Sequence, residues 1–509
     1  MKTSERVIVN TIAQYTRTVI NMILSLYTVR VVLSTLGQDD YGIYTLIAGV
    51  VSMLAFITNS LVTSTQRFIS YNHGKQDLER IKTIFSNSLI IHIVIGLGLV
   101  IILESCAPLL FNGFLNIAPE RESAAIFVFQ VVIVILFTTF ITAPFKSLLI
   151  SRENIIYISI IEVLDGFIKV GFAFLLTKVT YDKLEFYSLT MLAVQLFTFI
   201  ALASYCYKKY EECIVPSFKR MNKADVKTFL SFTGWTVYGT VCSVGQRQGI
   251  AIVLNKIMGT AVNAAYGIGY QLAGYASFLS SSIVNAIRPQ IIKAEGGGDR
   301  ERALRLSNIT SKIVFLLMSV VFIPCMFEIE TILELWLGKV PEYAGLFCIM
   351  AMATILADSV SIGLTHINNA IGNIKVYSLV MCTPKLLTLP IALLMMKNDL
   401  PLVWVAFECV FIELIMAFVR IPFIHKQAGL DVKDFLINTV SRELFCMVLL
   451  AILCLGINRF LPSENWRILV TIASTVTLFP ILVYAIGFCS EERKMLFNIL
   501  KSIRKRVKK

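Results

Sequence analysis

Tyr41-Gly42-Ile43, an apolar span, Arg67 and then Gly74-Lys75-Gln76-Asp77-Leu78-Glu79-Arg80 make up a stretch that occurs twice. It returns as Tyr266-Gly267-Ile268, another apolar span, Arg288 and Gly296-Gly297-Gly298-Asp299-Arg300-Glu301-Arg302. Both copies share Y-G-I, an arginine that ends the span, and G-x-x-D-x-E-R, in the same order. A copied unit of this size predicts two halves built from one ancestral half.

The 509 residues are 56% hydrophobic and only 16% charged, with a mean hydropathy of +0.75. Apolar runs recur along almost the whole chain, each long enough to cross about 30 Å of hydrocarbon as a helix. Backbone groups in lipid must be satisfied within the segment, so helices are the spanning element, and barrel-type alternation is absent. The run from about Val7 to Leu36 contains Arg17 and Arg30 and has no small-residue cleavage site, so it reads as a retained first span. About 14 spans are expected, near residues 9–34, 42–66, 84–104, 123–149, 155–177, 186–207, 228–255, 263–287, 308–327, 343–367, 375–396, 401–422, 442–460 and 466–488. In a membrane transporter such duplicated halves hold the substrate between them.

A net charge of +13 raises the question of nucleic acid, but the placement of the charges answers it. Of the 46 Lys and Arg, roughly 33 fall in one set of alternate loops and roughly 8 in the other, which is the positive-inside pattern. Both termini are then cytoplasmic. The tail Arg504-Lys505-Arg506-Val507-Lys508-Lys509 is expected against anionic lipid headgroups, not nucleic acid. The eleven cysteines are scattered without a C-x-x-C, and read as small packing residues, not metal ligands.

Polar residues inside the spans are the candidate site. Gln14, Arg17 and Asn21 share one face of the first span. A central arginine costs about 2.5–3.5 kcal/mol on insertion scales, so Arg17 is expected to face protein or water. Glu162, Asp165 and Lys169 share a face of the fifth span, with Asp165 and Lys169 spaced to pair. Tyr238, Cys242 and Gln246 share a face of the seventh span, followed by Arg247 and Gln248. Superposing the two Y-G-I motifs places Gln246 on Asn21. The glycines of that span, Gly234, Gly239, Gly245 and Gly249, allow close helix approach. Asp358 and His366 lie in the tenth span. Lys385 lies mid-membrane between Pro384 and Pro390, where a broken helix is expected. Glu408 and Glu413 are the acids available to pair with Lys385 or Arg420. Residues 68–82, and their counterpart 289–305, read as short interfacial amphipathic helices.

The turn Leu36-Gly37…Tyr41-Gly42-Ile43-Tyr44, the exit Thr65-Gln66-Arg67-Phe68 and the G-x-x-D region resemble the N-terminal part of polysaccharide-biosynthesis membrane proteins. These are the O-antigen and capsule repeat-unit flippases, related to the lipid II flippase and the MATE drug exporters. The resemblance implies an all-α polytopic membrane protein of two pseudo-symmetric six-helix bundles around a central cavity, plus two C-terminal helices. The bundles would be 1–207 and 228–424, joined by a cytoplasmic linker at 208–227, with added helices in 425–490 and a basic cytoplasmic tail at 491–509. It also implies a lipid-linked oligosaccharide as cargo, the bacterial inner membrane as location, and the pathway's polymerase and glycosyltransferases as partners. No cofactor is expected.

In such a protein Arg17, Arg247, Lys385 and Lys169 are the cations available to a diphosphate. Gln14, Asn21, Tyr238, Gln246 and Gln248 are the polar groups available to sugars. Glu162, Asp165 and Asp358 are the candidate ion carriers. The chain contains no P-loop, H-E-x-x-H or nucleophile elbow, and its outer loops are short, so an enzyme is not expected. The alternatives are a MATE-type exporter of organic cations, which would need unpaired carboxylates in the N-terminal bundle, a lipid II flippase, and a polytopic transferase.

Overall fold

The computed structural model describes residues 3–52, 54–111, 117–461, 465–490 and 492–494. The basic tail Arg504–Lys509 lies outside the described residues. Among the described residues every regular element is a helix. In order, the main ones are α1 (Thr3–Leu36), α2 (Gln38–Ser52), α3 (Ala55–Gly74), α4 (Leu78–Leu109), α5 (Glu122–Ser151), α6 (Ile155–Leu176) and α7 (Lys183–Lys209). They continue as α8 (Lys223–Met258), α9 (Thr260–Gly296), α10 (Arg300–Phe327), α11 (Ile329–Leu337), α12 (Ala344–Ser359), α13 (Ile362–Ile371), α14 (Ile374–Lys397) and α15 (Leu402–Ala428). The last are α16 (Ser441–Phe460) and α17 (Asn465–Leu482).

Among the described residues, nine helices are long and apolar enough to cross a membrane, and α12 with α13, bent by 49°, make a tenth. Of the other expected spans, 42–66 is divided between α2 and α3, and those near 155–177, 228–255 and 263–287 are helical but interrupted by charged or polar residues. Helix α6 carries Glu162, Asp165 and Lys169, while α3, α8 and α9 are diluted by Ser, Thr, Asn, Gln and Gly. Large apolar side chains such as Met22, Ile23, Ile101, Ile252 and Leu394 are exposed along the helices, as lipid-facing surfaces require.

The duplicated motif is a repeated turn. In the first copy α3 ends at Gly74, Gln76 takes a left-handed φ of 58°, and Asp77 caps α4. In the second, α9 ends at Gly296, Gly298 has φ of 81°, and Asp299 caps α10. Each Asp side chain accepts from the backbone N of the motif's last arginine, Arg80 at 2.9 Å and Arg302 at 3.1 Å. This satisfies one of the unpaired amides at a helix start. The separate interfacial helices expected at 68–82 and 289–305 do not form. A left-handed residue followed by a capping Asp lets one long helix turn directly into the next.

The contacts divide the chain into two compact units, one comprising Ile8–Val237 and the other from Tyr238 on. In the first, α5 is enclosed by α7, α3, α4 and α2. It is apolar nearly all round, and most of its side chains are buried, with Ile126 and Val134 facing outward. Phe129, Phe140, Phe145 and Leu148 are among its buried residues, and Phe145 meets Phe85 edge-on at 5.5 Å. In the second unit α10 holds the same place, packed by α9, α13, α16 and α12. A Cβ on Gly363 of α13 would lie 1.9 Å from the Ser307 carbonyl oxygen of α10. Only glycine allows that approach, which the Gly363 N–H seals by donating to Ser311 Oγ at 2.9 Å. Two buried ion pairs tie the C-terminal segments to this unit: Arg467 to Glu328 at 2.8 Å, and Lys312 to Glu492 at 2.8 Å.

Candidate functional site

In the first unit α1 places Arg17 against Glu162 of α6, and α5 places Lys146 against the same carboxylate. Arg17 Nη1 donates to Glu162 Oε2, and Lys146 Nζ donates to Oε1 at 2.7 Å. One turn along α6, Asp165 accepts from Lys169 at 3.0 Å and from Thr198 Oγ1 at 3.4 Å. Three cations therefore face two carboxylates on these apolar helices. Asn21 stands one turn from Arg17 on α1, where Gly166 of α6 admits it. A Cβ on Gly166 would lie 2.9 Å from Asn21 Oδ1, an atom that is buried without a hydrogen-bond partner. Gln14 is buried on the same helix.

In the second unit the charges surround a break. The span 344–371 is interrupted between α12 and α13, next to Asp358 and Ser361. Arg420 of α15 donates to the carboxylate of Asp358 at 2.5 Å, to its backbone carbonyl at 3.2 Å and to Ser361 Oγ at 3.3 Å. It also reaches Glu413 at 3.3 Å, and Glu413 holds Lys385 of α14 at 2.8 Å. Two cations and two carboxylates thus neutralise one another, while Arg420 supplies a second donor to the Asp358 carbonyl, which also accepts from Ser361 N at 3.4 Å. The break expected around Lys385 lies here instead. Helix α14 runs through Pro384 and Pro390 without interruption.

The polar face of α8 is a separate group. Tyr238 Oη pairs with Thr383 Oγ1 at 2.7 Å. The Arg247 carbonyl accepts from the hydroxyl of Tyr266, the tyrosine of the second Y-G-I, at 3.1 Å. Gln246 is half-buried, Arg247 and Gln248 are exposed, and none of the three hydrogen-bonds the Asp358–Arg420–Glu413–Lys385 cluster. Gly239, Gly245 and Gly249 face Cys382, Leu386 and Leu389 of α14, so close approach is their use; Gly234 meets open space.

Of the candidate ion carriers, Glu162, Asp165 and Asp358 are all held in ion pairs. Glu408 is not: it is buried on α15 and neither carboxylate oxygen has a partner. Lys146 lies outside the sequence-derived candidates, because a lone basic residue near the end of a span carries no pattern. The role of Arg420 at the break has no local pattern either.

A family model described as polysaccharide biosynthesis protein matches residues 5–295. No curated protein matches the chain. Among solved structures, a MATE protein in complex with MaL6 is similar at 14% identity and a TM-score of 0.71, over 84% of this chain and 97% of that one. A multidrug resistance MATE transporter of the MOP superfamily, in an outward-facing conformation, is similar at 14% identity and a TM-score of 0.69, over 82% and 95%. A MOP superfamily transporter from Pyrococcus furiosus, described as having a binding pocket of reverse polarity, is similar at 13% identity and a TM-score of 0.70, over 84% and 96%. The chain is therefore a multi-pass membrane protein of the MATE-like fold, and it belongs to the polysaccharide biosynthesis protein family.

Proposed function

We propose that the protein is a flippase, moving an undecaprenyl-diphosphate-linked oligosaccharide repeat unit from the cytoplasmic to the outer leaflet of a bacterial inner membrane by alternating access. The observation that carries this reading is the excess of cations over carboxylates in the first unit, where Arg17 and Lys146 share Glu162. A diphosphate arriving beside them competes with a single carboxylate for two cations. Charge-assisted contacts to phosphoryl oxygens are stronger than neutral ones, more so away from bulk water. Gln14, Asn21, Tyr238, Gln246 and Gln248 would hydrogen-bond the sugars. An inside-negative potential assists outward movement of an anion by about 2.3 kcal/mol per charge per 100 mV.

A cation exporter would place unpaired carboxylates in the first unit. Glu162 and Asp165 are both paired with cations there, which disfavours that reading. The division of the chain at the 208–227 linker, cytoplasmic termini, and the polymerase and glycosyltransferases of the same pathway as partners complete the proposal. The test is a deletion in the native host, with surface glycan and lipid-linked intermediates analysed together, followed by complementation with Arg17→Ala. Deletion should remove one surface glycan and leave its lipid-linked repeat unit inside. Complementation by Arg17→Ala to normal glycan would remove Arg17 from the mechanism.

A further inference from the structure

The first unit contains a second basic site, away from Arg17. A cavity of about 270 Å³ opens at the turn between α3 and α4 and is closed on its far side by the start of α8. Arg67, Lys75 and Arg80 line it, with Asp225 as the opposing carboxylate, so its formal charge is positive. Its cations are held in place. The Arg67 guanidinium lies 4.7 Å from the Phe68 ring centroid and 4.8 Å from that of Tyr71. Lys75 Nζ lies 4.9 Å from the Tyr71 ring. Arg80 is locked by two hydrogen bonds to Asp225, at 2.9 and 2.5 Å. Asn87 of α4 also lines the cavity. It is 5% exposed, and neither Oδ1 nor Nδ2 has a hydrogen-bond partner. Leaving a buried amide unsatisfied is costly, so a ligand that supplies both an acceptor and a donor would recover that cost. Phe68, Phe229 and Ile91 make the remaining wall apolar.

We propose that this cavity binds a phosphoryl headgroup. Lys75 and Arg67 supply the charge, Asn87 hydrogen-bonds a phosphoryl or adjoining hydroxyl oxygen, and the aromatic wall covers the apolar part of the ligand. The motif that carries Arg67 and Arg80 lies in a loop of the basic, inside set. The headgroup would therefore be taken from the cytoplasmic leaflet. The inference goes beyond the export reading, because it requires binding and no translocation.

The test uses the full chain in phosphatidylcholine nanodiscs, in the Arg17→Ala background, which removes one of the deeper cations and keeps the remaining ones constant across the variants. Radiolabelled geranylgeranyl diphosphate is the probe, with short-chain phosphatidylglycerol and inorganic pyrophosphate as competitors. Lys75→Gln and Asn87→Leu should each weaken probe binding about tenfold, the equivalent of one charge-assisted contact. Asp225→Asn, which removes the opposing charge, should tighten it. Competition by phosphatidylglycerol would identify a general lipid phosphate site, and competition by pyrophosphate alone a site for free phosphate. Resistance to both would identify a prenyl diphosphate site. Equal affinity in all the variants, each shown to be folded by size exclusion, would overturn the proposal. It would leave the export reading untouched, since that reading is decided by glycan in the host.

Discussion

Arg420 and Asp358 meet at the point where a membrane-spanning segment breaks, with the guanidinium 2.5 Å from the carboxylate and 3.2 Å from the same residue's carbonyl oxygen. The pair is a structural joint as well as a charge pair. Removing one member of a buried network leaves the others uncompensated, typically at about 3–5 kcal/mol. Arg420→Met and Glu413→Gln should therefore both lower the melting temperature of the detergent-solubilised protein sharply. Glu408→Gln should leave it unchanged or raised, because Glu408 has no partner to lose. Thermal unfolding followed by size exclusion reads all three. A large loss in Glu408→Gln would reveal a partner for that carboxylate.

Glu162 is shared, and that separates function from folding in the first unit. Arg17→Ala leaves Lys146 at 2.7 Å to hold the carboxylate, so membrane abundance should be unchanged while export is lost. The double variant Arg17→Ala/Lys146→Ala strands Glu162 on the apolar helices and should lower abundance as well. Immunoblots of membranes beside glycan gels distinguish the two.

The two capping aspartates are expected to act alike. Asp77→Ala and Asp299→Ala should each cost about 1 kcal/mol, the usual value of an N-cap. Gln76→Gly should stabilise slightly, because Gln76 occupies a left-handed φ of 58° that glycine adopts freely. Melting temperatures of the single variants check this. A cap loss in only one copy would mean that the repeated turns carry unequal loads.

Acid should loosen one corner of the first unit. Asp182 accepts from Arg121 at 2.5 Å and caps α7 through Leu184 N and Glu185 N. The bond from Arg121, aided by these amides, holds its carboxyl below the usual value. A carboxyl lowered in the folded state contributes stability above its unfolded pKa, near 3.9, and loses it as pH falls through the lower folded value. The wild-type melting temperature should fall below about pH 4. In Asp182→Asn that part of the fall should be missing, as a pH series of unfolding curves would show.

The sequence disclosed those parts of the fold that depend on local pattern. Apolar runs gave helices. The G-x-x-D-x-E-R copies marked two equivalent turns, and Asp165 and Lys169 pair as their spacing allows. What it did not disclose depends on contacts between helices. Lys146 reaches Glu162 only because α5 and α6 are packed together. The break in the span 344–371 is stabilised by Arg420 from α15, far along the chain, whereas the prolines around Lys385 suggested a break that α14 does not make. Asn87 was invisible as a candidate because a lone asparagine in an apolar run carries no pattern. Only the cavity beside it gives it a meaning.

The most direct test of the central claim is the location of the lipid-linked repeat unit in a strain lacking this protein. Radiolabelled intermediates would be extracted from inside-out and right-side-out vesicles and probed with an impermeant glycan-cleaving reagent. The account predicts intact repeat units confined to the cytoplasmic face, with the corresponding surface glycan absent and restored by the wild-type chain but not by Arg17→Ala. Repeat units reaching the outer face normally, together with new sensitivity to cationic dyes, would contradict it and make the protein an exporter of cations.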